Sequence, residues 1–130
     1  MKLARAIGVS NFNVQSLVNV LSLCQFPPTV NQVELSPYLQ QPGLLDFCRK
    51  FNIVVTGYGS LARGGAKVDL KLGHVIDIFN EPILVEIAAT HKKSVAAVAL
   101  NYIWYGLGVT VIPKTEKIER LAENFNWHDF

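Results

Sequence analysis

Element order constrains this chain more than any single residue. Short β-branched runs, each closed by Gly, Pro or Asn, alternate with stretches of helical apolar spacing. Ala4 to Val9 reads as a first strand ended by Ser10-Asn11-Phe12. Asn13 can cap the following helix, with Val14, Leu17, Val18, Leu21 and Cys24 on its apolar face. After Pro27-Pro28, Thr29 to Leu35 reads as a second strand. Pro42 suits the first turn of a helix whose core side is Leu44, Leu45, Phe47, Cys48 and Phe51. Ile53 to Tyr58 is a third strand. Gly59 to Phe79 has no clear period and, at about 20 residues, exceeds an ordinary connection, so it is a candidate functional loop or lid. Asn80 with Pro82 opens a helix through Ile83, Ile87, Ala88 and His91. Ser94 caps another, carrying Val95, Val98, Ala99, Tyr102 and Ile103, and Gly106 and Gly108 turn the chain into a last strand from Val109.

Strand–helix, strand–helix, strand–loop–helix–helix, strand–helix is an α/β pattern of about four parallel strands with crossover helices. Half of the 130 residues are hydrophobic and 17% are charged, as buried parallel strands require. It also suits a chain that covers apolar surface with something else. Four such units are half of an eight-unit barrel, leaving two open strand edges and an uncovered inner face. A net charge of +2, with scattered basic residues, gives no reason to expect nucleic-acid or membrane binding. The longest uncharged run, Val95 to Pro113, contains Asn101, Gly106 and Gly108 and reads as helix, turn and strand, not a span. Cys24 and Cys48 read as reduced, core-facing thiols. Without CxxC or metal-ligand spacing, and without the apolar run of a signal peptide, a cytoplasmic protein with no metal is expected.

The last strand carries the clearest local chemistry. Pro113 ends it, Lys114 follows, and Thr115 is a good N-cap for a helix with Ile118, Leu121, Ala122 and Phe125 on one face. A lysine and a hydroxyl thus arrive at a helix N-terminus, where unpaired N–H groups and the dipole favour an anion such as phosphate. Arg120 and Asn124 lie one turn apart and can reach the same ligand. Solvated surface charges are the equally available alternative. No GxGxxG follows a strand, so a Rossmann dinucleotide site is not supported.

Four blocks in order resemble the aldo-keto reductase superfamily: Arg5-Ala6-Ile7-Gly8-Val9-Ser10-Asn11-Phe12; Val30-Asn31-Gln32-Val33-Glu34-Leu35-Ser36-Pro37-Tyr38-Leu39; Val54-Val55-Thr56-Gly57-Tyr58; and Val111-Ile112-Pro113-Lys114-Thr115 with Glu119-Arg120-Leu121-Ala122-Glu123-Asn124-Phe125. The resemblance covers nearly the whole chain, as one domain over 1–130, and implies the C-terminal half of a (β/α)8 TIM-type barrel. Members of that family reduce aldehydes and ketones with NADPH, without metal or flavin. By resemblance, Ser10, Asn11 and Gln32 would bond the nicotinamide carboxamide, and Tyr58 would stack on its ring. Ser60 and Leu61 would lie along the cofactor, with Ser60 near the pyrophosphate. Lys114, Thr115 and Arg120 would hold the adenosine 2′-phosphate, with Glu123 and Asn124 on the adenine side.

Read without the family, Ser10-Asn11 are turn residues, Gln32 a satisfied strand amide and Tyr58 a core aromatic. Gly59 and Arg63 stand where the family commonly has serines for the pyrophosphate, and Ser36 where many members have histidine. The family's catalytic aspartate, tyrosine, lysine and histidine belong to its first four βα units, so no catalytic residue is assigned here. The resemblance leads to the expectation of a chain cut at both ends: a partial gene product, splice form, truncated gene model or experimental fragment. Two readings follow. One is the NADP(H)-binding half of an oxidoreductase acting on a small carbonyl substrate. The other is a non-catalytic binding or assembly module, self-associating through open barrel edges, or a non-functional remnant.

Overall fold

The computed structural model describes residues 3–64, 67–68, 75–128 and 130, with backbone alone for 67–68 and 75–76. A four-stranded parallel sheet has the order β1 (Gly8–Ser10), β2 (Val30–Glu34), β3 (Val54–Tyr58), β6 (Thr110–Val111). Helix α1 (Val14–Leu23) crosses from β1 to β2, and α2 (Pro42–Lys50) from β2 to β3. Between β3 and β6 come the antiparallel pair β4 (Lys67–Val68) and β5 (Val75–Ile76), a 3₁₀ turn (Ile78–Asn80), α3 (Pro82–His91), α4 (Val95–Asn101) and a π-helical turn (Tyr102–Gly106). Helix α5 (Ile118–Phe125) follows β6. The expected α/β order of parallel strands and crossover helices is what the chain adopts.

Alternation divides the sheet into two unlike faces. Val33, Leu35, Val55 and Val109 point to one side and pack with Leu17 of α1, Leu44, Leu45 and Cys48 of α2, and Ile103 of the π-helical turn. On the other side lie Val30, Gln32 and Glu34 of β2 and Val54, Thr56 and Tyr58 of β3, none of them buried. Register sets Ser10, Gln32, Thr56 and Thr110 level with one another across all four strands. All-parallel sheets are ordinarily covered on both faces; among the described residues this one is covered on one.

Several element boundaries differ from those the sequence suggests. The first strand is Gly8–Ser10 rather than Ala4–Val9, because a strand needs a partner. Thr29 is the last residue to offer β1 an N–H, to the Ile7 carbonyl at 2.8 Å, and Pro27 and Pro28 before it have none. Asn80 does not open α3. Asp77 holds it back in the 3₁₀ turn, accepting from Asn80 Nδ2 at 2.8 Å, and Glu81 precedes the helix. On α3 the buried residues are Leu84 and Ala88, while Ile83 is exposed. Phe51, Val14 and Val18, expected in the core, are partly exposed. The expected loop 59–79 includes β4, β5 and the 3₁₀ turn; 65–66 and 69–74 lie outside the described residues. Asn13 and Ser94 cap α1 and α4 as their sequence context predicts, accepting from Ser16 N at 2.9 Å and Ala97 N at 3.1 Å. Both cysteines are free thiols; burial pushes the Cys48 thiol up, keeping it protonated and inert.

Two long-range ties join segments around the sheet. Tyr38 donates to Glu81 Oε2 at 2.7 Å, joining the loop after β2 to the start of α3. Burial and then the Glu81 carboxylate push this phenol up to about 12. A raised pKa favours the protonated donor, so the tie is intact through neutral pH. Its contribution fades only as pH rises from the ordinary ~10 toward that value. Asn101 Nδ2 donates to the Trp127 and Phe130 carbonyls at 2.9 and 3.0 Å, anchoring the segment after α5 to α4. Leu35 is fully buried between sheet and helices. Leu35→Ala is expected to destabilise the chain by about 2–5 kcal/mol, read as a lower urea midpoint at unchanged slope.

Candidate functional site

The site lies at the C-terminal ends of the strands, on the uncovered side of the sheet. It begins where β1 ends. Asn11 takes a left-handed conformation (φ 59°), tolerable for asparagine, and this turns its side chain back toward β3. Its N–H extends the ladder to the Gln32 carbonyl at 2.8 Å, and Ser10 Oγ donates to the same carbonyl at 3.0 Å. Tyr58, at the end of β3, donates its hydroxyl to Asn11 Oδ1 at 3.0 Å. Residues from three separate strand ends, Ser10 with Asn11, Gln32 and Tyr58, therefore form one polar cluster beside the tyrosine ring.

Asn31 supports that cluster. It is fully buried, and its amide bridges the turn after β1, donating to the Phe12 carbonyl at 2.8 Å and accepting from Phe12 N–H at 3.4 Å. Sequence reasoning passed over it in favour of Gln32. The available signal was an amide at an inward, alternating position in an apolar strand, which must find partners when buried. Asn31→Ala is expected to leave both Phe12 backbone groups without that partner. It should lower stability by about 1–3 kcal/mol in a urea titration and loosen the turn holding Asn11, seen as faster amide exchange at Asn11 and Phe12.

Beyond Tyr58 the chain folds tightly over the strand ends. Gly59 (φ +64°) faces the Glu34 carboxylate, where a Cβ would lie 3.5 Å from Oε1. Ala62 and Arg63 are also left-handed, at φ 50° and 60°, a strained arrangement for two consecutive non-glycine residues. A two-pronged ion pair holds it: Arg63 Nε and Nη2 lie 3.1 and 2.9 Å from the Glu34 carboxylate oxygens. Ser60 lines the cleft with its hydroxyl already engaged. It is buried, and its hydroxyl proton goes to the Gly57 carbonyl at 3.0 Å.

From this turn a cleft of about 680 Å³ runs between Tyr58–Gly64 and Ile112–Lys117, with Phe79 and Arg120. A second hollow of about 340 Å³ shares Leu61, Phe79, Lys114, Thr115 and Arg120 with it and continues past Glu123 and Asn124 to the start of α4. The two form one elongated groove with an aromatic ring at one end and a basic cluster where the two hollows meet. Thr115 is not the N-cap of α5. Its hydroxyl accepts from Lys117 N–H at 3.2 Å, two residues before the helix's N-cap, and Lys117 enters the helix without a side-chain cap. Lys114 is paired with Glu116 through a short contact. Its hydrogen bond and charge hold the exposed Glu116 carboxyl below the usual carboxylate range, so Glu116 is ionised at neutral pH. The groove brings together Tyr58, Ser60, Leu61, Lys114, Thr115, Arg120, Glu123 and Asn124, and its Tyr58 end adjoins Ser10, Asn11 and Gln32. Among the described residues no cluster of His, Cys, Asp and Glu could hold a metal ion, and no helix is long and apolar enough to cross a membrane.

A parallel α/β sheet with its polar residues at the C-terminal strand ends matches a known family. The model for the Aldo/keto reductase family matches residues 3–130, and this chain belongs to that family. Aldose reductase B of Dictyostelium discoideum is 41% identical over 128 residues, an alignment taking in 98% of this chain and 38% of the relative. The solved aldose reductase of Schistosoma japonicum superposes with a TM-score of 0.84 at 30% identity, covering 98% of this chain and 38% of that one. A silkworm aldo-keto reductase complexed with NADPH gives 0.85 at 34% identity, with the same coverage. The chain spans about two fifths of the length of these relatives.

Proposed function

We propose that this chain is the NADP(H)-binding portion of a cytoplasmic oxidoreductase that reduces a small aldehyde or ketone to an alcohol. The observation that carries the reading is the single elongated groove. Amide and hydroxyl groups cluster at one end of it, and Lys114, Arg120 and an uncapped helix start lie further along, where its two hollows meet. A dinucleotide with a carboxamide at one end and an extra phosphate further along has the complementary chemistry.

The residues fit this cofactor. Ser10, Asn11 and Gln32 offer both donors and acceptors for a carboxamide, and Tyr58 offers a flat ring held by its hydroxyl. Lys114, Thr115 and Arg120 would hold the 2′-phosphate, Arg120 as a planar fork and Lys114 as a point charge. Leu61, Glu123 and Asn124 would line the adenosine. When bound, the cofactor supplies a hydride to a carbonyl carbon. This chain's own residues would orient the nicotinamide face and read the 2′-phosphate. No residue here is assigned as the proton donor to the carbonyl oxygen, so the isolated chain would bind cofactor without turnover. Carbonyl reduction by the purified chain would overturn that. Lys114→Ala and Arg120→Ala should each weaken NADPH by about ten- to a hundredfold and NADH by less than threefold in calorimetric titrations. Equal losses for both cofactors would remove the 2′-phosphate assignment.

A second reading rests on a different observation. The apolar stripe of α5 lies in solvent, with Ile118 82%, Leu121 57% and Phe125 74% exposed, and Val54 and Ile112 are also exposed along the open side of the sheet. Edges and apolar faces of this kind favour self-association. Under this reading the chain sediments as a dimer or larger, and Leu121→Glu shifts it toward monomer. A compact, stable monomer at tens of micromolar would end it.

A further inference from the structure

Two of the groove's cations are already engaged by carboxylates of the chain itself, and the two pairs differ in kind. Glu34 and Arg63 are 29 residues apart, bonded at two points, and tie β2 to the left-handed turn at Ala62–Arg63. That pair holds local structure. Lys114 and Glu116 are two residues apart on the surface, with side chains 76% and 82% exposed. Their contact is open to solvent and joins residues of one short segment rather than two elements. A pair this exposed is worth little to stability. Its position matters more, because Lys114, Glu116, Lys117 and Arg120 all line the same cleft.

We propose that Glu116 is a specificity-determining residue that acts against the 2′-phosphate: it holds Lys114 in the free protein and repels the phosphate that must displace it. This rests on the reading of the Lys114–Arg120 cluster as the 2′-phosphate site. A ligand phosphate has to exchange one ion pair for another, so part of the attraction of Lys114 is already satisfied. Glu116 cannot then withdraw far, since only one residue separates it from Lys114. Its negative charge stays near a dianionic group and lowers the preference for NADPH over NADH. NADH lacks the 2′-phosphate, so Glu116 has no such group to repel there, and salt weakens the pull of an exposed charge on the rest of the ligand.

The test is a calorimetric titration of the 130-residue chain and its Glu116→Gln and Lys114→Ala variants with NADPH and NADH, at low and at high ionic strength. Glu116→Gln keeps the size and polarity of an exposed side chain, so folding should be unaffected. It is expected to raise the NADPH-to-NADH affinity ratio by about three- to tenfold at low salt, with NADH affinity unchanged and the gain shrinking at high salt. A wild-type chain that does not discriminate, joined to a Glu116→Gln variant that does, would support the proposal equally. An unchanged or lower ratio in Glu116→Gln, while Lys114→Ala abolishes the preference, overturns this proposal and leaves the 2′-phosphate site standing. Identical ratios in all three proteins, or binding of neither cofactor by any of them, overturns both.

Discussion

The parallel pairing of β2 with β3 is the constraint on which the rest depends. It runs in register from Val30 opposite Val54 to Glu34 opposite Tyr58. Because side chains alternate, that register sends Asn31, Val33, Val55 and Gly57 to the helices and leaves Gln32, Glu34, Thr56 and Tyr58 on the open side. A slip of one residue would bury Glu34 and Tyr58 and expose the core. The register also brings Gly57 close to Leu35 and Val109, where an added Cβ would stand 3.3 Å from each, so β3 can sit tightly between its neighbours. Both the hydrophobic core and the polar site are consequences of this one alignment.

The site depends on a few buried or paired polar groups that keep the strand-end turns in shape. Asn31 secures the turn after β1, Ser60 the turn after β3, and Glu34 the turn that follows. None of these groups points freely into the groove. They hold Asn11, Tyr58 and the left-handed 62–63 turn in positions that local preference alone would not maintain. The outer residues Lys114, Glu116 and Arg120 stand on the less buried β6–α5 segment, where charge rather than packing dominates. The groove thus has a polar end held by hydrogen bonds and a basic stretch governed by charge.

The chain is more apolar than its described surface can hide. Mean hydropathy is +0.26, yet α5 buries no residue and the sheet is covered on one face. Relatives and solved structures that share this fold are more than twice as long as the matched region. The exposed α5 stripe and the open sheet face are therefore places where the hydrophobic effect remains to be satisfied.

Period and punctuation alone determined much of this protein. The strand and helix order, the caps at Asn13 and Ser94, the prolines opening α2 and α3, and the lysine delivered to a helix start are all local, set by backbone sterics and short-range hydrogen bonds. The four blocks that mark the family are legible for the same reason, since each is a strand end with its turn. What required the tertiary structure were the non-local outcomes. Strand β1 is short because Pro27 and Pro28 withhold donors from across the sheet, and Thr115 caps a turn rather than the helix. Asn31 is a buried support, the Ser60 hydroxyl is already engaged, and Arg63 is taken by a carboxylate 29 residues away. Each of these depends on which partner the fold brings near, and a one-dimensional pattern carries no record of distance between its parts.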